Sequence, residues 1–344
     1  TEGDDLLSLT GTTADGADAT VTGSSNPTIR LFNFGVGSTV TLNGRGGDDR
    51  LEATQIADWP IETVNLMGGP PTGSDEVLIS GSDTDDETFD YMPTSLHSGT
   101  LEVQTPTGNP VTTYNISGTE SLSLDAGGNA DDVLVVSNPN AIVTPSIVPG
   151  SGSVQSFSAG GLQLLGVDLY QNFEDVTVDE GTTVVIDGTN ANDTITIDAN
   201  GVVTVTNNLG FFNSVDVSDF DNVVINTLGG DDTVTVPGNL SAATDIVNLE
   251  IIGGDEGTGS DVLNFNGAGT ANVTLDFGDR TIQEGALTTV TYDGVETVNL
   301  DSGGLSPSIV GTSGDDDLTV TVADENSGTV QQGFVLNRSG QPLT

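Results

Sequence analysis

The sequence lacks cysteine and lysine, and it has only five arginines, one histidine and one tryptophan in 344 residues. Without cysteine, neither disulfides nor thiolate metal sites can hold the fold together. Against 51 acidic residues the five cations leave a formal net charge of -46. Nucleic acids and anionic membranes are bound through basic surfaces, so both are excluded as partners. No apolar run approaches the roughly 18 residues of a membrane span, so we expect no membrane insertion.

Aspartate and glycine are the residues in excess. The chain has 37 Asp against 14 Glu, and 46 Gly. So much negative charge opposes compaction unless counterions bind. A halophilic surface would also be acidic and poor in lysine, but it gives no reason to prefer Asp placed beside Gly, Asn, Ser or Thr in turns. Calcium prefers hard oxygen ligands, so the composition predicts Ca²⁺ as a bound ion, in a number that the sequence does not give.

Alternation of apolar and polar residues with a period of two runs through the whole chain. It is clearest in STVTLN at 38–43, DTITID at 193–198, VVTVTN at 202–207 and DLTVTV at 317–322. This period is typical of β-strands, and helical periodicity is nearly absent. The sequence therefore predicts an all-β fold of many short strands.

Two short elements recur along the chain. One is a strand that has an acidic or amide start and runs into glycine, at 61–69, 119–128, 173–181, 220–230 and 295–304. The other is a Gly-Asp corner that opens the next strand, at 3–9, 44–53, 73–79, 81–89, 127–136, 188–197, 229–236, 257–265 and 311–320. Successive glycines allow sharp backbone turns, and the Asp that follows adds a carboxylate to inward carbonyl oxygens, a chemistry suited to calcium.

A longer unit contains these elements. GSDTDDETF, GTNANDTIT and GTSGDDDLT start at 81, 188 and 311. They divide the chain into the end of a preceding repeat at 1–10, repeats at 11–80, 81–187 and 188–310, and an incomplete repeat at 311–344. This pattern predicts a stretch of a longer tandem protein. Coils of roughly 20 to 30 residues that stack their corners would form a parallel β-solenoid. The alternative is a string of β-sandwich domains.

Several corners resemble the hemolysin-type calcium-binding repeat, whose consensus is G-G-x-G-x-D-x-U-x with a large apolar U. The matching residues are Gly44, Gly47, Asp49 and Leu51; Gly311, Gly314, Asp316 and Leu318; and Gly127, Gly128, Asp132 and Leu134. The resemblance implies calcium bound between coils of a secreted bacterial β-solenoid surface protein. The family strings its nonapeptides in tandem, whereas the corner aspartates here lie 11 to 61 residues apart.

The candidate metal ligands are the corner aspartates and the acids beside them. They are Asp5, Asp48, Asp49, Asp75, Asp86, Asp131, Asp132, Asp193, Asp231, Asp232, Asp261, Asp315 and Asp316. Aspartate in a turn also accepts backbone N–H groups without any metal, which is the structural alternative at each corner.

Catalytic residues are not predicted. His97 is the single histidine, the five arginines are scattered, and acidic pairs recur where an active site would be unique. Carbohydrate platforms are usually aromatic, and Trp59 is the single tryptophan. Threonine-rich strands suggest an ice-binding face, but no T-x-T motif recurs at a constant spacing in the sequence.

The sequence therefore predicts an extracellular structural protein, a calcium-stabilised β-rich segment of a fibre, adhesin or sheath on the cell surface. Because solenoid ends expose unpaired strand edges, end-to-end self-association is expected. The alternative is a carbohydrate-active β-helix domain, related to polysaccharide lyases or binding a surface polysaccharide.

Overall fold

The computed structural model of the chain describes most of its residues. These are 4–11, 18–23, 29–32, 37–55, 61–70, 74–105, 111–128, 131–138, 140–146, 148, 150–173, 175–179, 183–209, 212–240, 244–254, 260–312, 318–322 and 334–338. The chain divides into two compact units. Unit 1 comprises residues 1–186 and 209–220, and unit 2 comprises residues 187–208 and 221–344. Among the described residues, no helix is long and apolar enough to cross a membrane.

Unit 1 is built from short strands. They are β1 (Leu6–Gly11), β2 (Asp18–Gly23), β3 (Ile29–Phe32), β4 (Ser38–Asn43), β5 (Arg50–Thr54), β6 (Ile61–Met67), β7 (Glu76–Ser80), β8 (Thr88–Ser95), β9 (Ser98–Gln104), β10 (Thr112–Ser117), β11 (Ser121–Asp125), β12 (Val133–Ser137), β13 (Asn140–Pro145), β14 (Gly152–Phe157), β15 (Gln163–Gln171), β16 (Asp175–Asp179), β17 (Thr183–Asp187), whose last residue falls in unit 2, and β20 (Phe212–Asp216).

These strands form two sheets. Sheet 1A has the order β17-β13-β14-β15-β11-β7-β5-β1-β2-β3, and sheet 1B has the order β20-β16-β12-β8-β9-β10-β6-β4. From β4 to β7 each strand lies in the sheet opposite to its predecessor and pairs in parallel with a strand of the neighbouring coil. This is the winding of a β-solenoid, so the predicted fold is confirmed and the tandem sandwich is not observed.

Antiparallel meanders interrupt the winding. Strands β8, β9 and β10 lie side by side in sheet 1B, where β10 pairs in parallel with β6 and β8 with β12. The meander β13-β14-β15 is arranged in the same way in sheet 1A, where β15 pairs in parallel with β11 and β13 pairs in parallel with β17. The last strand of a meander thus continues the preceding coil, and the first strand begins the next one. A coil can therefore absorb extra chain without breaking the parallel stack.

Unit 2 repeats this organisation. Its strands are β18 (Asp193–Ile197), β19 (Val202–Asn207), β21 (Asn222–Asn226), β22 (Thr233–Pro237), β23 (Asn248–Ile252), β24 (Val262–Asn266), β25 (Val273–Asp276), β26 (Thr281–Glu284), β27 (Thr289–Asp293), β28 (Thr297–Asp301), β29 (Ser308–Val310), β30 (Leu318–Val322) and β31 (Phe334–Arg338). Sheet 2A is β29-β25-β26-β27-β23-β21, sheet 2B is β28-β24-β22-β18-β19, and β30 pairs with β31. The meander β25-β26-β27 belongs to sheet 2A.

The core of each unit lies between its two sheets, because alternate residues of each strand point inward. In β5, Leu51 and Ala53 are buried between exposed or half-buried neighbours. In unit 1 the rings of Phe89 and Phe173 meet edge to face with centroids 5.1 Å apart. The buried Tyr91 hydroxyl donates to the carbonyl oxygen of Leu165 at 2.8 Å. The period of two in the sequence therefore marks the buried face correctly.

Candidate functional site: carboxylate ladders at the strand starts

An acidic side chain occupies the residue that precedes or opens most of the parallel strands. We call these residues the inner acids; they are Asp5, Asp49, Asp75, Glu87, Glu120, Asp132, Asp193, Asp232, Asp261 and Glu296. Six of the aspartates are at most 5% exposed: Asp49, Asp75, Asp132, Asp193, Asp232 and Asp261. Carboxylates are almost never buried to this degree without partners, so their contacts decide what the corners do.

In sheet 1A the inner acids form a continuous hydrogen-bonded ladder. The backbone N–H of Asp5 donates to Oδ1 of Asp49 at 2.8 Å, and the N–H of Asp49 donates to Oδ1 of Asp75 at 2.8 Å. The N–H of Asp75 then donates to Oε2 of Glu120 at 2.8 Å. Each carboxylate thus caps a backbone N–H of the neighbouring coil at the point where the chain leaves the corner and enters the sheet.

Sheet 2B of the other unit carries the same ladder. The N–H of Asp193 donates to Oδ1 of Asp232 at 2.7 Å, and the N–H of Asp232 donates to Oδ1 of Asp261 at 2.9 Å. The ladder ends where the N–H of Asp261 donates to Oε2 of Glu296 at 2.6 Å. In both units an aspartate-based ladder therefore ends on a glutamate.

Sheet 1B contains a further rung of this kind. The N–H of Glu87 donates to Oδ1 of Asp132 at 2.7 Å. Glu87 is itself buried, and its Oε2 accepts the N–H of Ser82 in its own corner at 2.7 Å. Thr189 makes the corresponding local bond in unit 2, donating its N–H to Oδ2 of Asp193 at 2.6 Å. A corner carboxylate can therefore hold its own loop and the neighbouring coil together.

A second ladder lies one residue earlier and runs in the opposite direction. Here the later coil donates and the earlier side chain accepts, and we call the accepting residues outer residues. The bonds are Asp48 N–H to Asp4 Oδ1 (3.1 Å), Ser74 N–H to Asp48 Oδ1 (3.0 Å), Asp231 N–H to Asn192 Oδ1 (3.1 Å) and Ser260 N–H to Asp231 Oδ1 (3.0 Å). Unlike most inner acids, Asp48 and Asp231 are exposed to solvent. Coils in these corners are thus joined by side-chain bonds in both directions.

Glycine is required at these corners for two separate reasons. Gly47 (φ 127°) and Gly230 (φ 138°) adopt positive-φ conformations that favour glycine, as the sharp turns predicted from the sequence require. Gly44 has no such conformation, but a Cβ at this position would lie 2.3 Å from Oδ2 of Asp49. At Gly188 a Cβ would lie 2.9 Å from Oδ2 of Asp193. The glycine that opens the corner therefore leaves space for the inner carboxylate.

Burial raises the pKa of several inner acids. It raises the pKa of Glu87 to about 8, with the nearby carboxylates of Asp132, Asp85 and Asp83 adding to the effect of desolvation. Burial likewise raises the pKa of Asp261 to about 6, although the hydrogen bond from the Asp232 N–H opposes the shift. The pKa values of three other inner acids are also raised, chiefly by burial: Asp75, Asp193 and Asp232. Negative charge on these rungs is therefore costly to the folded state.

The predicted metal ligands fall into groups in the structure. Asp5, Asp49, Asp75, Asp132, Asp193, Asp232 and Asp261 are inner acids, whereas Asp48, Asp131 and Asp231 are exposed and directly precede them. Asp86 is half-buried beside Glu87, which occupies the inner position of that corner. Asp315 and Asp316 lie outside the described residues.

Glu87, Glu120 and Glu296 are ladder members that were not predicted from the sequence. A signal was present for two of them, because Glu120 and Glu296 are the acidic starts of the recurring strand element. The two sequence elements, strand start and Gly-Asp corner, therefore contribute to the same ladders.

The described corners do not assemble an ion cage from side chains. No group of three or more acidic or histidine side chains is placed to hold one metal ion in the part of the chain that the structure covers. The Oδ1 atoms of inner acids such as Asp49 and Asp232 already accept backbone N–H groups. A calcium ion in these corners would have the exposed outer acids, backbone oxygens and the second carboxylate oxygens of inner acids such as Asp49 as possible ligands.

Two arginines and the single histidine lie beside acids. Arg50 donates to Glu52 at 2.7 Å and to Glu76 at 3.0 Å, and Arg280 contacts Asp293. His97 Nδ1 lies 3.3 Å from Oε1 of Glu120, and 3.2 Å from the Thr119 carbonyl oxygen. Trp59 lies outside the described residues. A scan against protein-family models matches none of them to this chain, and a search of curated proteins finds no significantly similar sequence.

Proposed function

We propose that this chain is a structural β-solenoid segment of an extracellular or cell-surface protein, of the kind that builds fibres, adhesins or sheaths. The observation that carries the proposal is the repetition of one corner environment from coil to coil, in sheet 1A at Asp49 and Asp75 and in sheet 2B at Asp232 and Asp261. An active site is one constellation of unlike groups. A repeated environment instead serves the regular stacking of coils.

Calcium stabilisation belongs to this proposal. The ions would bind at exposed acids such as Asp48, Asp131 and Asp231, which are accessible from solvent, whereas most inner acids are buried. A divalent ion there would offset the self-repulsion of a chain with a formal net charge of -46. Millimolar calcium outside the cell fits the proposed location. The resemblance of the corners to hemolysin-type repeats points to the same ion.

A carbohydrate-active domain is the alternative that the sequence left open. A polysaccharide lyase acting on an acidic sugar needs basic groups that are free to face the substrate. The side chains of Arg50 and Arg280 instead contact neighbouring carboxylates, in unit 1 and unit 2 respectively. The contacts of these two arginines favour the structural function.

Self-association is the part of the proposal that an experiment tests directly. The purified chain is examined by sedimentation velocity and negative-stain electron microscopy in millimolar calcium and in EGTA, with magnesium at equal ionic strength as the control. We expect oligomers joined end to end in calcium, and fewer or none in EGTA or magnesium. Single particles in all three buffers would refute self-association of this chain.

A further inference from the structure

The outward face of sheet 2B carries a regular array of small polar side chains. Two rows of five residues run across its five strands, and we call them the threonine grid. The first row is Thr206, Thr194, Thr233, Val262 and Thr297, and the second row is Thr204, Thr196, Thr235, Asn264 and Asn299. The inward residues between them, such as Ile195 and Val234, are buried in the core of unit 2. All ten positions therefore belong to one face of one sheet.

The strand register, and not the sequence spacing, creates this grid. Thr194 pairs with Thr233 and Thr196 with Thr235, and these pairings continue to β24 and β28 with no register shift. Neighbouring rungs are then about 4.8 Å apart, and the two rows are about 6.7 Å apart. Because the strands come from segments of unequal spacing along the chain, no T-x-T period is visible in the sequence. The structure thus assembles an array that the sequence conceals.

Charge is absent from the grid although the chain is strongly acidic. Seven of its ten residues are threonine, two are asparagine and one is valine. The outward face of sheet 2A in the same unit differs, because it carries Glu250, Asp276 and Asp293. Acids return only at the borders of the grid, for example at Asp231 and Asp301. A neutral array in such a chain points to a neutral partner.

The side chains of the grid have restricted conformations, and several of them are hydrogen-bonded. Threonine is β-branched and restricted at χ1, so its hydroxyl and methyl groups have few allowed directions. Asn299 Nδ2 donates to Oδ1 of Asn264 at 2.8 Å, and Asn264 Nδ2 donates to the Thr235 hydroxyl at 3.4 Å. The hydroxyl of Thr206 donates to the Thr194 carbonyl oxygen at 3.1 Å. The grid therefore presents hydrogen-bonding groups and methyl groups in a prearranged lattice.

The size and chemistry of the grid restrict its occupant. Five strands span only about 20 Å, so the patch covers a few hundred Å² at most, below the ~800 Å² per partner of a stable protein interface. A second copy is therefore not the occupant. None of the ten residues is aromatic, and a hydroxyl that exchanges water for a sugar hydroxyl gains little. If the partner surface consists of water molecules, the grid hydroxyls keep hydrogen bonds to water when they bind it.

We propose that the threonine grid binds the ordered water lattice at the surface of ice. The regular spacing, the absence of charge and the restricted hydroxyls each suit a neutral crystalline lattice of hydrogen-bond donors and acceptors. This activity goes beyond the structural role and does not depend on self-association. It would let the extracellular segment hold or restrain ice.

Ice recrystallisation inhibition and thermal hysteresis test the proposal on the whole chain. The wild type is compared with Thr196→Lys, which places a charge within the grid on an exposed side chain. The matched control is Thr274→Lys, an exposed outward threonine of sheet 2A in the same unit. Thr194→Lys repeats the test at a second exposed grid position. Circular dichroism melts establish that every variant is folded.

We expect activity in the wild type and in Thr274→Lys, and its loss in Thr196→Lys and Thr194→Lys. An inactive wild type, or grid variants as active as the wild type, would overturn the proposal. Binding of the wild type to insoluble cellulose or chitin, lost in Thr196→Lys and without any effect on ice, would overturn it in favour of a neutral polysaccharide.

Discussion

Gly44 shows how a single glycine serves the ladder in unit 1. Because a Cβ there would lie 2.3 Å from Oδ2 of Asp49, Gly44→Ala must displace a buried carboxylate that accepts the Asp5 N–H. We expect a loss of about 1–3 kcal/mol in the free energy of unfolding, measured by urea denaturation. Gly46→Ala is the matched control, since its Cβ would meet nothing within 4 Å. Equal stabilities for the two variants would contradict the close packing of glycine and carboxylate.

Two substitutions of Asp261 distinguish a hydrogen-bonding role of its carboxylate from a metal-binding role. Asp261→Asn keeps an Oδ1 that can accept the Asp232 N–H, and it removes a buried charge whose pKa is raised to about 6. At pH 8 we therefore expect this variant to be as stable as the wild type or more stable. Asp261→Ala leaves the N–H of the buried Asp232 unpaired and should cost about 1–3 kcal/mol. If both variants lost the same stability, in urea denaturation without calcium, the ladder would not act through hydrogen bonds.

At the scale of elements, the ladders at the strand starts predict that mild acid stabilises the fold. Burial raises the folded-state pKa of Glu87 to about 8 and that of Asp261 to about 6, above their ordinary values of 4.5 and 3.8. The unfolded chain therefore releases these protons at lower pH than the folded chain does. Stability should fall as pH rises from about 4 to 8, and it should return on acidification over the same range.

Below this pH range, further acidification should lower the stability of the fold. Burial opposes ionisation of Glu284, but hydrogen bonds from Ala268, Thr270 and Ala271 outweigh burial and lower its pKa below 4.5. The contribution of Glu284 to stability is lost as pH falls through that lowered pKa.

Between pH 5 and pH 8 the raised pKa values of Glu87 and Asp261 decide the direction. Melting temperatures recorded in EGTA at constant ionic strength should be higher near pH 5 than at pH 8, by a few degrees for each kcal/mol gained. A melting temperature that falls steadily from pH 8 to pH 5 would contradict the raised pKa values.

The strands were predictable from sequence, whereas their neighbours were not. The alternation in 38–43 and 202–207 gives β4 and β19 with the same bounds, because a half-buried strand needs an apolar residue at every second position. The meander β8-β9-β10 could not be foreseen, since its strands look like any other strands and pairing depends on contacts distant in sequence. The threonine grid was hidden for the same reason.

The corners were predictable in part. The sequence placed Asp49 and Asp232 at equivalent turns, and the structure gives them equivalent hydrogen bonds. Glu87 was missed because DDE in this corner offers several acids and only the start of β8 decides which one points inward. Whether an outer acid such as Asp48 binds calcium depends on ligands that no sequence pattern supplies.

At the scale of the whole molecule, a formal net charge of -46 opposes the parallel stacking that the fold requires. The inner ladders relieve this repulsion locally, through backbone N–H groups and raised pKa values. Exposed acids such as Asp48 and Asp231 each accept one backbone N–H as well, and they lie at the surface, where counterions can reach them. Under the proposed function, a divalent counterion at these acids would offset the remaining charge, and the proposed extracellular location would supply it.

The most direct test of this account is the melting temperature of the chain at pH 8 in millimolar calcium and in EGTA, with ionic strength matched by sodium chloride. We predict a melting temperature several degrees higher in calcium than in EGTA. Magnesium should raise it less than calcium does, because its stricter octahedral geometry suits irregular corners less well. Superimposable melts in calcium and EGTA would contradict calcium stabilisation of the acidic corners.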